Sequence, residues 1–164
     1  MKVFHGLWFE LLNIASQSFK RLIKDNAVES STEKVTCAEE FNQLSDKVTE
    51  IIFPEDSCDD ITEVDFSRFK HLQRLEFNNR CLRNCTSFTI DGCGMLSCLV
   101  VGEDCFTNVD WKNMKNSDLT ELGETGHSFT VKNCLLLNKI VIGKGSFVDY
   151  TNVVIQSNAS KSEW

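Results

Sequence analysis

The chain has 164 residues, with 24 acidic against 17 basic side chains and a formal net charge of −7. That length fits one domain, and the acidic balance argues against a partner held through its phosphate backbone. No stretch reaches the roughly 18 consecutive apolar residues that a membrane-spanning helix needs.

Residues 4 to 23 read as an amphipathic helix. Phe4, Leu7, Trp8, Leu11, Leu12, Ala15, Phe19, Leu22 and Ile23 fall on one stripe at helical spacing, and Lys20, Arg21 and Lys24 sit near its end, where cations suit the helix dipole. The stripe is expected to cap a neighbouring apolar layer; docking to a partner is the alternative. A single early Lys, with Glu10 interrupting the apolar run, is a poor signal peptide. A cytoplasmic location is therefore expected, or a cell-surface one if the N-terminus is incomplete. Residues 25 to 35 are polar and linker-like. Thr36 with Glu39 matches a capping box, predicting a short helix with Phe41, Leu44 and Val48 on one side. Residues 1–47 together read as a helical N-terminal cap.

A strand is expected at Glu50-Ile51-Ile52-Phe53. The run 54–60, PEDSCDD, is acidic. It reads as a solvated loop; a calcium site is the sharper alternative, although the EF-hand pattern is absent.

From residue 48 to 157 one pattern dominates. Phe129 to Ile155, FTVKNCLLLNKIVIGKGSFVDYTNVVI, resembles Phe88 to Phe106, FTIDGCGMLSCLVVGEDCF. Val64, Phe88 and Phe129 align, as do Leu75, Leu99 and Ile140, then Phe77, Val101 and Ile142, then Leu82, Phe106 and Phe147. Val64 to Phe88 and Phe129 to Val153 are both steps of 24. Each triplet places two inward residues around one outward residue, the two-residue period of a strand. Gly102 and Gly143, with Asn78 in the same slot, suggest a turn that needs positive φ. Between Phe88 and Phe129 the step is 41. A degenerate unit at about 107–128 accounts for this, with Val109 and Trp111 as one triplet and Leu119 with Leu122 as the other; a 17-residue insertion (41 minus 24) is the alternative.

These L-x-x-L-x-L units, with the run N-C-x-x-L-x-x-I-x-I-G-x-x-S-F-x-D-Y, resemble leucine-rich repeats of the BspA-like type. The resemblance covers about residues 48–155. It implies a mainly β leucine-rich-repeat β-solenoid of four to five coils, each with about two short strands, capped by the N-terminal helix. It also implies protein recognition or adhesion. Residues 158–164 read as a disordered tail. No capping element is recognised after the last triplet, so self-association at an open C-terminal coil is one expectation.

Eight cysteines would form a disulfide framework in a secreted chain. The alignment gives a plainer account, in which Cys58, Cys85, Cys93 and Cys134 fill inward slots as small core residues and Cys98 points outward. Cys37, Cys81 and Cys105 stay unassigned, and a metal site is the remaining alternative. His127 near Cys134 invites a nucleophile reading, but Cys134 takes a core slot. Asn84-Cys85-Thr86 and Asn158-Ala159-Ser160 match glycosylation sequons.

The outward strand positions define two candidate binding faces. One comprises Arg74, Glu76, Val100, Lys139 and Val141, with Ile52 in its row. The second comprises Asp65, Thr89, Asp91, Thr130 and Lys132, with Val154 in its row. No P-loop, dinucleotide fingerprint, paired C-x-x-C or H-E-x-x-H is present. The expectation is a noncatalytic protein-recognition module or scaffold with a protein ligand and no cofactor. Its competitors are a cell-surface adhesion protein and an enzyme built on a Cys, His and Asp cluster or a Cys-bound metal.

Overall fold

The computed structural model describes residues 30–114 and 125–156. In chain order these form β1 (Thr32–Lys34), α1 (Ala38–Gln43), β2 (Glu50–Phe53), β3 (Glu63–Asp65), β4 (Arg74–Phe77), β5 (Ser87–Asp91), β6 (Cys98–Val101), β7 (His127–Lys132), β8 (Lys139–Ile142) and β9 (Tyr150–Gln156). Two parallel sheets result, a five-stranded one in the order β1-β2-β4-β6-β8 and a four-stranded one in the order β3-β5-β7-β9.

The strands form where apolar residues alternate. Ile51 and Phe53 in β2, Leu75 and Phe77 in β4, and Leu99 and Val101 in β6 are buried, while their neighbours are half-buried. Phe88 and Ile90 in β5, and Phe129 and Val131 in β7, supply the same face of the second sheet. Parallel pairing in register places like residues over like, so the aromatic rings stack from strand to strand and turn to turn. Phe53 lies on Phe77 at 4.6 Å, Phe88 on Phe129 at 4.9 Å, and Phe106 on Phe147 at 4.4 Å. Phe66 bridges the columns, touching Phe41, Phe53, Phe69, Phe77 and Phe88.

The expected leucine-rich-repeat β-solenoid is not what forms. A solenoid needs a constant coil closed by its neighbours, and neither condition is met. In the five-stranded sheet the step between paired positions is 18 from β1 to β2, as for Thr32 and Glu50. It is 24 from β2 to β4 and from β4 to β6, as for Arg74 and Cys98. From β6 to β8, Leu99 pairs with Ile140, a step of 41 that Ser87 and Ser128 repeat in the other sheet. Among the described residues of 107–128 no strand of a degenerate coil intervenes: β5 pairs directly with β7 and β6 with β8. The extra length is thus an insertion between Phe106 and His127, and Val109 and Trp111 enter neither sheet. At β8 and β9 the inward positions stay open, with Ile140, Ile142, Val153 and Ile155 exposed. The mainly β expectation fits in part, since strands are the prevailing regular elements of the described residues.

The 25–35 segment, read as linker, contains β1, paired with β2. The helix start is not the Thr36–Glu39 box. Glu40 accepts from the Thr36 amide at 2.7 Å and its hydroxyl at 2.8 Å, and Asp60 accepts from the Ala38 amide at 2.9 Å. Gly102 and Gly143 do not have positive φ. They are glycines because successive turns touch: a Cβ on Gly143 would lie 2.2 Å from the Gly102 carbonyl oxygen. The left-handed positions fall a few residues later, at Asp56, Arg80, Asp104 and Gly145, and again at Cys58, Leu82, Phe106 and Phe147. The second set turns its side chains toward the core, where Cys58, Leu82 and Phe106 are buried. The helical stripe at 4–23, Leu119 with Leu122, and the tail at 158–164 lie outside the described residues.

Phe66 is fully buried at the centre of the ring contacts, so Phe66→Ala should destabilise the fold by about 3–5 kcal/mol. Val141→Ala, on the exposed face of β8, should stay within about 0.5 kcal/mol of wild type. Urea unfolding of the two variants checks the contrast.

Candidate interaction surfaces

The first predicted face lies on the outer side of the five-stranded sheet. Pairing aligns Ile52, Glu76, Val100 and Val141 in one row across β2, β4, β6 and β8, and Glu50, Arg74, Cys98 and Lys139 in the next. Arg74 ties the start of the face together. Its Nε is 3.1 Å from Glu50 Oε1, its Nη2 donates to Glu76 Oε2 at 2.5 Å, and its Nη1 lies 3.5 Å from Cys98 Sγ. Cys98, expected outward and exposed, is half-buried beneath this guanidinium. With Arg74 and its carboxylates engaged, the apolar positions Val100 and Val141 and the ammonium of Lys139 are what the face offers.

The second predicted face is also brought into register on the four-stranded sheet. Asp65, Thr89, Thr130 and Val154 form one row, and Asp91, Lys132 and Gln156 another. Several of its polar groups turn inward to their own sheet. Asp65 accepts from the Ser67 amide at 2.8 Å, and Asp91 accepts from Asn133 Nδ2 at 2.6 Å.

Sequence reasoning missed a groove on the turns between the sheets. It has a volume of about 460 Å³ and is lined by Asp59, Arg80, Arg83, Asp104, Trp111 and Lys112, among others. Trp111, expected in the core, is instead half-buried at this surface. Its indole donates to Asp104 Oδ1 at 2.7 Å, and Lys112 and Lys144 stand 5.3 and 4.8 Å from its ring. The Trp111 and Lys112 hydrogen bonds hold the Asp104 carboxyl below the usual range. The acidic run at 54–60 supplies the other side. Asp56 and Glu55 pair with Arg80 at 2.7 and 2.8 Å, and Asp59 pairs with Arg83. The carboxylates considered for calcium therefore brace two arginines and, through Asp60, the start of α1. No signal in the sequence marks this groove except the regular step that sets Asp56, Arg80 and Asp104 in one slot.

His127 does not meet Cys134. Its Nδ1 lies 3.2 Å from Asp149 Oδ2, and its ring packs edge-on against Tyr150. Tyr150 in turn donates to the Cys85 carbonyl at 2.6 Å. Cys58, Cys85, Cys93 and Cys134 are buried as expected, Cys81 and Cys105 join them, and all eight cysteines are free. Burial pushes the Cys58 and Cys93 thiols up to about 12 and that of Cys85 up to about 11. Cys81 and Cys105 form a buried pair, in which the neighbouring sulfur and desolvation hold Cys81 protonated. Among the described residues no group of three or more His, Cys, Asp or Glu is arranged to hold a metal ion, and no helix is long and apolar enough to cross a membrane.

No known protein family, characterised protein or solved structure matches this chain, so the resemblance to BspA-like repeats gains no support from comparison.

The thiols give a direct test of the buried positions. At pH 8, Cys37 and Cys98 should react with a thiol reagent in the native protein, and the other six only after unfolding. The pH dependence follows from the same burial. Folded thiol values of about 11–12 for Cys58, Cys85 and Cys93 lie above the roughly 8.5 of an unfolded thiol. Their contribution is whole below about pH 8.5 and is lost as pH rises through the folded values. Urea midpoints measured from pH 7 to 11 should fall accordingly.

Proposed function

We propose that this chain is a noncatalytic protein-recognition module that binds a protein ligand through the outer face of its five-stranded sheet. One observation carries the reading. Parallel sheets are ordinarily covered on both faces, whereas here the outer row of β2, β4, β6 and β8 runs Ile52, Glu76, Val100 and Val141, with Val100 half-buried and Val141 43% exposed side by side. Exposed apolar surface of this kind, rimmed by charge, marks interfaces. Lys139 and the Arg74 cluster supply that rim.

The noncatalytic part is supported by how the polar groups are used. In the groove at Trp111 the charged side chains Asp59, Arg80, Arg83, Asp104 and Lys112 pair with one another or with Asp56 and Glu55, and Asp110 accepts from Asn113. A thiolate nucleophile needs a lowered pKa and access to a substrate; burial shifts Cys58, Cys85, Cys93 and Cys134 the other way, and Cys105, lowered by its hydrogen bond with Cys81, is fully buried. Eight unbridged cysteines favour a reducing, cytoplasmic setting over a disulfide-braced surface protein.

Capture from an extract of the source cells tests the face. The wild type is compared with a Val100→Glu, Val141→Glu variant and with a Thr89→Glu, Thr130→Glu control on the other sheet. A specific protein retained by the wild type and the control, and weakened at least tenfold, or about 1.4 kcal/mol, by the first variant is the expected result. Equal retention by all three would remove the face from consideration.

A further inference from the structure

The two ends of the sheet pair are built differently. At the first end, both edges are blocked. The β1 edge is Thr32, Glu33 and Lys34, all exposed and polar. Beside β3, α1 packs over the sheet end: Asp60 accepts from Ala38, and the Cys58 amide donates to the Thr36 carbonyl at 3.3 Å. Phe41 of α1 closes the core there, with Arg68 lying over its ring and donating to its carbonyl at 2.6 Å. Charges and a covering helix are the standard protections of a sheet edge.

The second end has neither protection among the described residues. Among the described strands, β8 and β9 are the last of their sheets. Ile140 and Ile142 take the register positions of Leu99 and Val101, and Val153 and Ile155 those of Phe129 and Val131. The inner four are at most 2% exposed, while the outer four are 38% to 58% exposed. Leu135 and Leu136, each 57% exposed, extend the strip. Lys139 is the only charged residue in 133–143, and 150–156 contain none.

We infer that this end is a homodimer interface, occupied by a second copy of the same chain about a twofold axis. The occupant has to supply two strand edges, set about one sheet spacing of 10 Å apart, with an apolar strip between them. A second copy supplies all three. A twofold axis perpendicular to the strands sets β8 against β8 and β9 against β9, and the twofold makes both pairings antiparallel. Ile140, Ile142, Val153 and Ile155 of each copy then continue the core of the other. Charge permits the match, because in an antiparallel pairing centred near Val141 the two Lys139 side chains sit at opposite ends of the β8 ladder. The first end, with its charged edge and covering helix, cannot serve as the complementary surface of a head-to-tail chain, so the contact closes at two copies. Residues 133–143 and 149–156 approach the roughly 20–30 residues a side that stable interfaces use.

Sedimentation velocity on the full chain tests this from about 1 to 100 µM, where a Kd near 10 µM is visible. The wild type should move from monomer to dimer across that range. Ile142→Lys and Ile155→Lys, which set a charge into the apolar strip facing the other copy, should each raise the dissociation constant at least tenfold. Thermal unfolding at a monomeric concentration should be unchanged, because both positions are exposed in one copy. A wild type that is monomeric throughout overturns the inference, and amide exchange then tells why: protected β8 and β9 amides assign the end to another part of the same chain, and fast exchange leaves it uncovered. Open-ended oligomers, or variants that dimerise like the wild type, overturn the twofold pairing. None of these outcomes touches the recognition reading, which stands or falls on the outer-face variants.

Discussion

Parallel pairing in register is the constraint on which the rest of this structure depends. When strands align at a constant step, as β2, β4 and β6 do, every inward residue meets its counterpart. Phenylalanine in one strand or turn then requires an apolar, stackable residue in the next. The chain meets that requirement with three ring-on-ring pairs, Phe53–Phe77, Phe88–Phe129 and Phe106–Phe147. The turns obey the same rule. Leu82, Phe106 and Phe147 adopt a left-handed backbone that costs a bulky residue roughly 1–3 kcal/mol. Burying such a side chain returns about 1.5–3 kcal/mol, so the strained turn is held by the packing it makes possible. The glycine contacts belong to this stacking as well, since Gly102 and Gly143 lie where consecutive turns come closest.

Stacking of this kind has no intrinsic stop, so the ends decide what the molecule presents. One end is closed by α1, by Arg68 over Phe41, and by the polar edge of β1. The other exposes Ile140, Ile142, Val153 and Ile155 in positions that the register marks as core. The outer face of the five-stranded sheet is a separate resource, with Val100 and Val141 beside the Arg74 cluster. The insertion between Phe106 and His127 leaves both sheets intact and instead contributes Trp111 to the groove over Asp104. The protein thus keeps its aromatic interior uniform and concentrates variation at one end, one face and one groove.

Much of the strand arrangement is legible in the sequence because it follows from period-two alternation. Ile51, Phe53, Leu75, Phe77, Phe88 and Ile90 read as inward, and all are buried. The rows of both candidate faces come out in register for the same reason. Three features are not legible. Periodicity does not record whether the long step from Phe88 to Phe129 holds a weak unit or an insertion; Val109 and Trp111 fit the pattern by residue type, yet the Trp111 indole finds a better partner in Asp104. A shared apolar pattern also does not show that a position is covered, and Ile140 and Val153 match their buried counterparts while lying open. Finally, a recurring glycine signals a special backbone, but its cause is contact with the next turn rather than positive φ.

The sheets run unbroken across the insertion, with β5 seated directly against β7. Phe88 and Phe129 stack at 4.9 Å with their planes 7° apart, although the whole insertion separates them in the chain. A double-mutant cycle on Phe88→Leu and Phe129→Leu, read by urea unfolding, addresses that contact alone. Direct stacking predicts a coupling energy of about 0.5–1.5 kcal/mol. Additive effects, within about 0.3–0.5 kcal/mol as for separated sites, would contradict it and place another layer of chain between the two rings.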